Sequence, residues 1–416
     1  MSLAAVKQAE SNLLVSTYDR YPLLMKRGKG VYLYDADGKK YLDFLSGIGV
    51  NALGYGHPAV TRVMVQQAKK VVHLSNLFFH DYQSALAKKL AEISSLDRVF
   101  FSNSGTEAWE GALKFSRAYA RAVNSNGHKP KWRVLAMENS FHGRTFGSLA
   151  TTGQEKYRKP FMPLMPGVEF VRFNDVADLE KKFDSSVCAV AIEVIQGEGG
   201  VQPITKEFFQ VARRLTQKSG ALLIADEIQS GLGRTGKWFA YQHYGVLPDM
   251  VTVAKPLAAG IPLGALIASD KVARAIHPGM HGTTFGGGPL ACAVALEFLA
   301  TIEREKLLKN VQELGKYFLA ELSKLDSKFG LVADVRGVGL MLAMELDSAD
   351  RAKAAVNMMR DRGVIINRTH ETTLRFLPPY VITKKNVDEV IGKLDLVLEE
   401  IERMPVAGKA KEKKGK

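Results

Sequence analysis

Residues 221–236 read ALLIADEIQSGLGRTG and residues 251–255 read VTVAK. The first opens on an apolar run, 221–225, that ends in Asp226, and the second is an apolar run, 251–254, that ends in Lys255. An apolar strand that delivers a carboxylate, followed by another that delivers a lysine, suits chemistry needing a Schiff-base amine and an anionic partner for a pyridinium nitrogen. Around this pair, strand-like and helix-like stretches alternate, which favours the α/β class.

The candidate cofactor is pyridoxal phosphate, which needs four more things from the chain. These are a phosphate cup, an apolar surface for its ring, a contact for the ring oxygen, and cations for substrate carboxylates. In RVFFSNSGTEAWEGALKFSRAY, an apolar run at 99–101 breaks into Ser102, Asn103, Ser104 and Gly105, after which Ala108, Ala112, Phe115 and Tyr119 recur at helical spacing. A helix start there leaves free N–H groups near Thr106 and Glu107 for a phosphate, with the hydroxyls of Ser104 and Thr106 added; the plainer alternative is a serine-capped helix. A second cup, GTTFGGGP, places Gly282, Thr283 and Thr284 before a glycine run and before Pro289, which a helix tolerates in its first turn. One phosphate rarely needs two such loops from one subunit, so the second is read as serving the neighbour in a homodimer with shared sites.

In ENSFHGRTFGSLATTG, Phe141 and His142 follow a strand-like run at 133–137 and precede Arg144. An aromatic ring there can lie flat on a pyridine, and the planar fork of Arg144 suits a carboxylate. Gln229 is placed to meet the ring oxygen. Gly231, Gly233 and Gly236 satisfy GxGxxG, but 226–230 separate them from the strand and no amphipathic helix opens after Gly236, so a dinucleotide site is not expected. Glu198, in the loop IQGEGG after a strand expected at 189–195, and Arg375, in TLRFLPPY, carry opposite charges. The expectation is that Glu198 pairs with Arg375 until a dicarboxylate arrives and then releases it.

Together these segments resemble the class III (ornithine/acetylornithine-type) aminotransferases. The resemblance runs from about Tyr18 to beyond Arg375 and rests on SNSGTEA, FHGRT, IQGEGGV, DEIQSGLGRTG, the lysine in VAKPLAAGIPLGA, HGTTFGG and LRFLPP. It implies the pyridoxal-phosphate-dependent fold type I, an α/β architecture with a mostly parallel central sheet in a large domain and a smaller α+β domain. It makes Lys255 the lysine that binds the cofactor, Asp226 the ring-nitrogen partner, Gln229 a ring-oxygen contact and Phe141 the stacking ring. Ser104, Gly105 and Thr106 become the phosphate loop, Thr284 the ligand from the other subunit, and Arg144 and Arg375 the carboxylate binders. Ile48 stands where ornithine-specific relatives carry tyrosine, which points to a substrate whose α-nitrogen is acylated, whereas Tyr18 matches a substrate-side tyrosine of the ornithine enzymes. The implied activity moves the δ-amino group of N-acetylornithine to 2-oxoglutarate, in arginine biosynthesis, with ornithine or 4-aminobutyrate as the alternative donor. Pro256, Leu257, Ala258 and Ala259 replace the family's usual glycines, and Val194 its proline; both changes bear on loop geometry rather than on the reaction.

With 416 residues and 46% apolar content, the chain can bury a large core and is expected to form two domains. A large cofactor domain is placed at 51–304, a smaller one at 1–50 and 305–403, and a disordered basic tail at 404–416. The N-terminus lacks an apolar signal segment, Glu10 and Asp19 argue against a transit peptide, and no run reaches membrane-spanning length, so a cytoplasmic enzyme is expected. Cys188 and Cys292 are both flanked by apolar residues and are read as buried and inert. The formal charge of +14 comes partly from the tail AGKAKEKKGK and is otherwise spread along the chain. With no basic face or aromatic platform, it is read as steering of anionic small molecules rather than nucleic-acid binding. No metal site is expected. A regulator built on this fold would add a DNA-reading module, for which the residues before the first shared motif are too few.

Overall fold

The segment VCAVAIE forms a strand in which every residue is buried, the mark of a strand covered on both faces. It lies in the interior of a seven-stranded sheet in the computed structural model, which describes residues 1–123 and 131–403. The strands are β1 (Arg98–Ser102), β2 (Arg133–Met137), β3 (Val168–Val171), β4 (Val187–Glu193), β5 (Leu222–Asp226), β6 (Met250–Val253) and β7 (Gly264–Ala268). Their spatial order is β1-β7-β6-β5-β4-β2-β3. Only β7 runs against its neighbours; the remaining pairs are parallel.

Side-chain alternation divides the interior between the two sheet faces. Ala189 and Ala191 of β4 and Leu222 and Ile224 of β5 join the cluster around Trp109 on helix α1 (Gly105–Val123). Val190, Ile192, Leu223 and Ala225 face the larger cluster, which includes helix α2 (Pro289–Arg304). Pro289 opens α2, where its missing N–H costs no helical bond. Cys188 and Cys292 are free and buried, and burial pushes their thiols up to about 11 and about 12, the inert state expected of them.

The register puts Asp226 beside Glu193 on one side and Thr252 on the other, so the carboxyl ends of β4, β5 and β6 are level. In open parallel sheets, that edge is where ligands collect.

One strand boundary differs from the sequence expectation. The apolar run 189–195 leaves the sheet at Glu193, and Ile195–Gln196 instead pairs antiparallel with Gln202–Pro203. Ile195 stays buried off the sheet, so hydrophobicity alone did not show the exit, and the result is a small hairpin with Glu198 in its loop.

Outside the large sheet, strands Met25–Lys29, Tyr32–Asp35 and Lys40–Asp43 form an antiparallel group, and Val364–Ile365 joins Lys40–Asp43 in parallel. A second four-stranded antiparallel sheet holds Val332–Val338, Met341–Leu346, Thr373–Phe376 and Asn367–Thr369. Arg375 is delivered from its interior, opposite Ala343 and Asn367. After Asp226 the chain runs through turns to a short 3-10 segment, Ala240–His243, so the GxGxxG-like glycines open no helix. No described helix is long and apolar enough to cross a membrane. The tail at 404–416 lies outside the described residues.

Candidate active site

A cavity of about 460 Å³ opens at the carboxyl edge of the large sheet. Its lining takes Asp226 from the end of β5 and Lys255 from just beyond β6. Lys255 adopts φ +37, a left-handed conformation that a side chain makes costly, and so marks a place where local comfort yields to position. Burial lowers the affinity of its amine for a proton, against the opposing pull of Glu198 and Asp226.

The carboxylate of Asp226 is knitted in on every side. His142 Nδ1 lies 2.7 Å from one oxygen, while the Ile228 N–H at 3.0 Å and the Thr252 hydroxyl at 3.3 Å donate to the other. The His142 ring stacks on Trp109 with centroids 3.8 Å apart, and the Trp109 indole N–H donates to Thr151 at 2.8 Å. His142 Nε2 is buried and has no partner among the described residues, so the proton belongs on Nδ1, donated to Asp226. A carboxylate braced in this way is held in one orientation at the cavity wall.

At the start of α1, the hydroxyls have partners within the protein, and for Ser104 this is the helix cap that the sequence offered as the plainer alternative. Ser104 Oγ accepts the Glu107 N–H at 3.3 Å as the helix cap, and the Thr106 hydroxyl contacts Ser148 Oγ at 2.5 Å and Thr145 Oγ1 at 2.9 Å. The amides of Gly105 and Thr106, which have no carbonyl one turn earlier in the helix, remain for an anion. A β-carbon at Gly105 would come within 2.9 Å of Ile228, so only glycine allows this end of the helix to approach the loop after β5.

Phe141 and Arg144 line the same cavity, and the Arg144 guanidinium lies 3.9 Å from the Tyr157 ring centroid. Arg144 is exposed; Arg375 is wholly buried. Arg375 Nη1 donates to Glu198 Oε1 at 2.6 Å, to Gln229 Oε1 at 3.1 Å and to the Gly197 carbonyl at 3.3 Å, while its Nε donates to Asn367 at 3.2 Å. Its Nη2 has no partner among the described residues. Although burial pushes the Glu198 carboxyl up, Arg375 pulls it below its ordinary range, so the pair is ionic. Gln229, with its oxygen committed to Arg375, keeps its NH₂ group to donate.

Ten of the residues singled out from sequence thus share one cavity: Ser104, Gly105, Thr106, Phe141, His142, Arg144, Glu198, Asp226, Gln229 and Lys255. Arg375 lies behind the lining and reaches it through Glu198 and Gln229. Three residues fall elsewhere in this chain. Thr284 lines a separate hollow with Asn103 and Glu107; Tyr18 is 76% exposed in an extended N-terminal segment; and Ile48, at φ +61, is 38% exposed, so Val50 rather than Ile48 reaches the cavity.

Sequence reasoning missed Glu193, Trp109 and Glu110. Glu193 interrupts the otherwise apolar stretch expected as a strand at 189–195, and a lone acid at such a place is the signal that could have found it. Glu110 accepts the N–H groups of Gly147 and Ser148, at 2.9 and 3.0 Å, and so anchors the turn after Arg144; nothing in its helical position reveals that.

The donor set fits the cofactor that the sequence suggested: a first-turn amide pair for phosphate, a braced carboxylate for a ring nitrogen, and a buried amine for an aldehyde. Among the described residues, no group of His, Cys, Asp and Glu could hold a metal ion.

Comparison with known proteins adds independent findings. The family described as "Aminotransferase class-III" matches residues 15–398. An acetylornithine aminotransferase of Caldanaerobacter subterraneus is 43% identical over 94% of this chain and 98% of that protein. A succinylornithine transaminase of Yersinia pseudotuberculosis is 42% identical over 95% and 97%. Among solved structures, the ornithine aminotransferase of Toxoplasma gondii superposes with a TM-score of 0.92 at 32% identity, covering 97% of this chain and 96% of that one.

Proposed function

Because the chain belongs to the class-III aminotransferases, a pyridoxal-phosphate-dependent family, we propose that it transfers the δ-amino group of N-acetylornithine to 2-oxoglutarate, yielding N-acetylglutamate semialdehyde and glutamate. The observation that carries this reading is the pairing of a lysine and a braced aspartate at adjacent strand ends with a buried, acid-guarded arginine just behind the lining of the same cavity.

Bound there, pyridoxal phosphate supplies an aldehyde that takes up an amine and a pyridinium ring that accepts electron density from the carbon losing its proton. The amides of Gly105 and Thr106 would hold the phosphate, with Thr284 contributed to the neighbouring subunit's site in a homodimer. Phe141 would cover the ring, Gln229 would donate to the ring oxygen, and Asp226, backed by His142, would pair with the ring nitrogen. Lys255 would hold the aldehyde, and its amine, with proton affinity lowered by burial, would carry the proton away from the substrate carbon.

Arg144 takes the carboxylate of either substrate at the open side. Arg375 is held by Glu198 while the mono-carboxylate amine reacts. When 2-oxoglutarate or glutamate enters, Glu198 gives way and Arg375 binds the second carboxylate. Ile48 and Tyr18 would bear on donor choice at the rim. Ornithine is the second reading, favoured by the match to the Toxoplasma enzyme and by Tyr18. A large cofactor domain over 51–304, with 1–50 and 305–403 forming the smaller one, and a cytoplasmic setting complete the proposal.

The experiment is a single-turnover panel. Each amine is added to the cofactor-loaded enzyme and the loss of the aldehyde form is followed by absorbance. Acetylornithine is expected to react fastest among the ω-amines, and a rate below those of both ornithine and 4-aminobutyrate would overturn the donor. Borohydride should fix the cofactor to Lys255 alone, and Lys255→Ala should lower turnover by at least ~10⁴-fold.

A further inference from the structure

Glu193 has no part in the mechanism above, yet its carboxyl lines the cavity and is only 5% exposed. It ends β4 beside Asp226. One oxygen accepts the Phe141 N–H at 2.8 Å, and the other accepts the Gly197 N–H at 3.2 Å. The carbonyl of Gly197 in turn accepts from Arg375 Nη1. A β-carbon on Gly197 would collide with the side-chain amide of Gln229, so glycine is what lets the hairpin and Gln229 pack this closely.

One buried carboxyl therefore grips two backbone segments: the one that carries the ring-covering phenylalanine and the hairpin that carries Glu198. As a purely stabilising element it would be a poor choice. Burial and the neighbouring Asp226 both disfavour its charge and push it up to about 8, and two N–H bonds only partly offset this.

We propose that Glu193 is a positioning residue, the fixed pivot of the Glu198–Arg375 gate. It pins the Gly197 peptide so that the Glu198 side chain can leave Arg375 without the hairpin moving, and it holds Phe141 over the ring by the same carboxyl. This rests on the reading that Arg375 receives the second carboxylate of 2-oxoglutarate or glutamate. The consequence is asymmetric: a loosened Phe141 slows both half-reactions alike, whereas a loosened Gly197 harms only the half-reaction that opens the gate.

The test compares wild type and Glu193→Gln, as cofactor-loaded enzymes, in single turnovers with L-glutamate and with N-acetylornithine. The amide of glutamine can accept only one of the two N–H bonds and turns its own NH₂ toward the other. The expected result is a kcat/KM for glutamate reduced about tenfold more than that for acetylornithine, most of the difference lying in KM. The asymmetry should shrink in the Glu198→Gln background, where the gate is already open. Equal losses in both half-reactions, or an asymmetry that Glu198→Gln leaves unchanged, overturn the proposal. Glu193→Asp is the second variant, read by the same ratio; if neither variant yields folded holoenzyme, Glu193 serves folding and the pivot is refuted. A wild type inert toward glutamate would refute the proposed transamination itself, a result distinct from any of these.

Discussion

Arg234 and Arg375 are both wholly buried, and each leaves Nη2 without a partner among the described residues, but they are held in different ways. Arg234 donates Nη1 to the carbonyls of Leu340 and Pro378, at 3.1 and 2.5 Å, and lies 4.6 Å from the Tyr380 ring centroid. Its partners are main chain and a ring, which cannot leave without unfolding the segments that carry them. Arg375 is held mainly by a side-chain acid, Glu198, to which the Thr369 hydroxyl also donates at 3.3 Å. That acid lines the cavity and is partly exposed. A buried cation tied to carbonyls joins two parts of the fold, here the loop after Asp226 and the segments around Leu340 and Pro378, whereas one tied to a side-chain carboxylate at a cavity has the partner that the proposed exchange requires.

Four measurements would break or sharpen this contrast. The largest effect is expected from Arg375→Ala, which should lower kcat/KM for glutamate by ~10³-fold, about 4 kcal/mol, and for acetylornithine by about tenfold or less, in single-turnover kinetics. Equal losses would make Arg375 as structural as Arg234.

Arg234→Ala should act the other way round. It opens a void and strands two buried carbonyls, so chemical denaturation should show a loss of about 3–5 kcal/mol. The ratio of the two half-reaction rates should stay within about twofold.

Glu198→Gln removes the guard without removing the cation. The ratio of glutamate to acetylornithine kcat/KM should rise by about tenfold, since the carboxylate that competes with glutamate is gone. An unchanged ratio would leave the gate with no support.

The smallest effect concerns the acids beside the two arginines. Burial pushes Glu193, next to the hairpin that carries Glu198, up to about 8, and Glu227, at the base of the Arg234 loop, up to about 7. An acid whose folded-state pKa is raised binds its proton more tightly when folded. Its contribution to stability is complete below its ordinary value of 4.5 and is lost as pH rises through 7 and 8. Stability of the cofactor-free protein, followed by urea titration, should therefore fall between pH 5 and pH 8, and Glu193→Gln or Glu227→Gln should each flatten that fall.

Much of the site was legible because short-range rules bear on it. Asp226 and Lys255 stand where apolar runs end, and Gly105 and Thr106 where a helical period begins, so their neighbourhood at a sheet edge follows from local pattern. The charges of Glu198 and Arg375 suggested a pair, and the structure contains it at 2.6 Å across 177 positions. Other features left no such trace. Ile195 reads as strand and is not in the large sheet, because Gln202–Pro203 offers it a partner elsewhere. The hydroxyl of Thr106 reads as a phosphate ligand but is drawn to Thr145 and Ser148, which only the folded chain brings near.

The linear chain, then, was enough for the α/β class, for ten of the residues that line the cavity and, through its ordered motifs, for the family, since these depend on residue type and short-range pattern. Tertiary structure alone decided which buried charges are tied to main chain and which to a side-chain acid. It put His142 between Trp109 and Asp226, gave Arg234 carbonyls and a ring, and let one carboxyl at Glu193 hold two loops. The reason is physical: the fate of a buried charge depends on desolvation and on the partners around it, and those partners come from segments far apart in the chain.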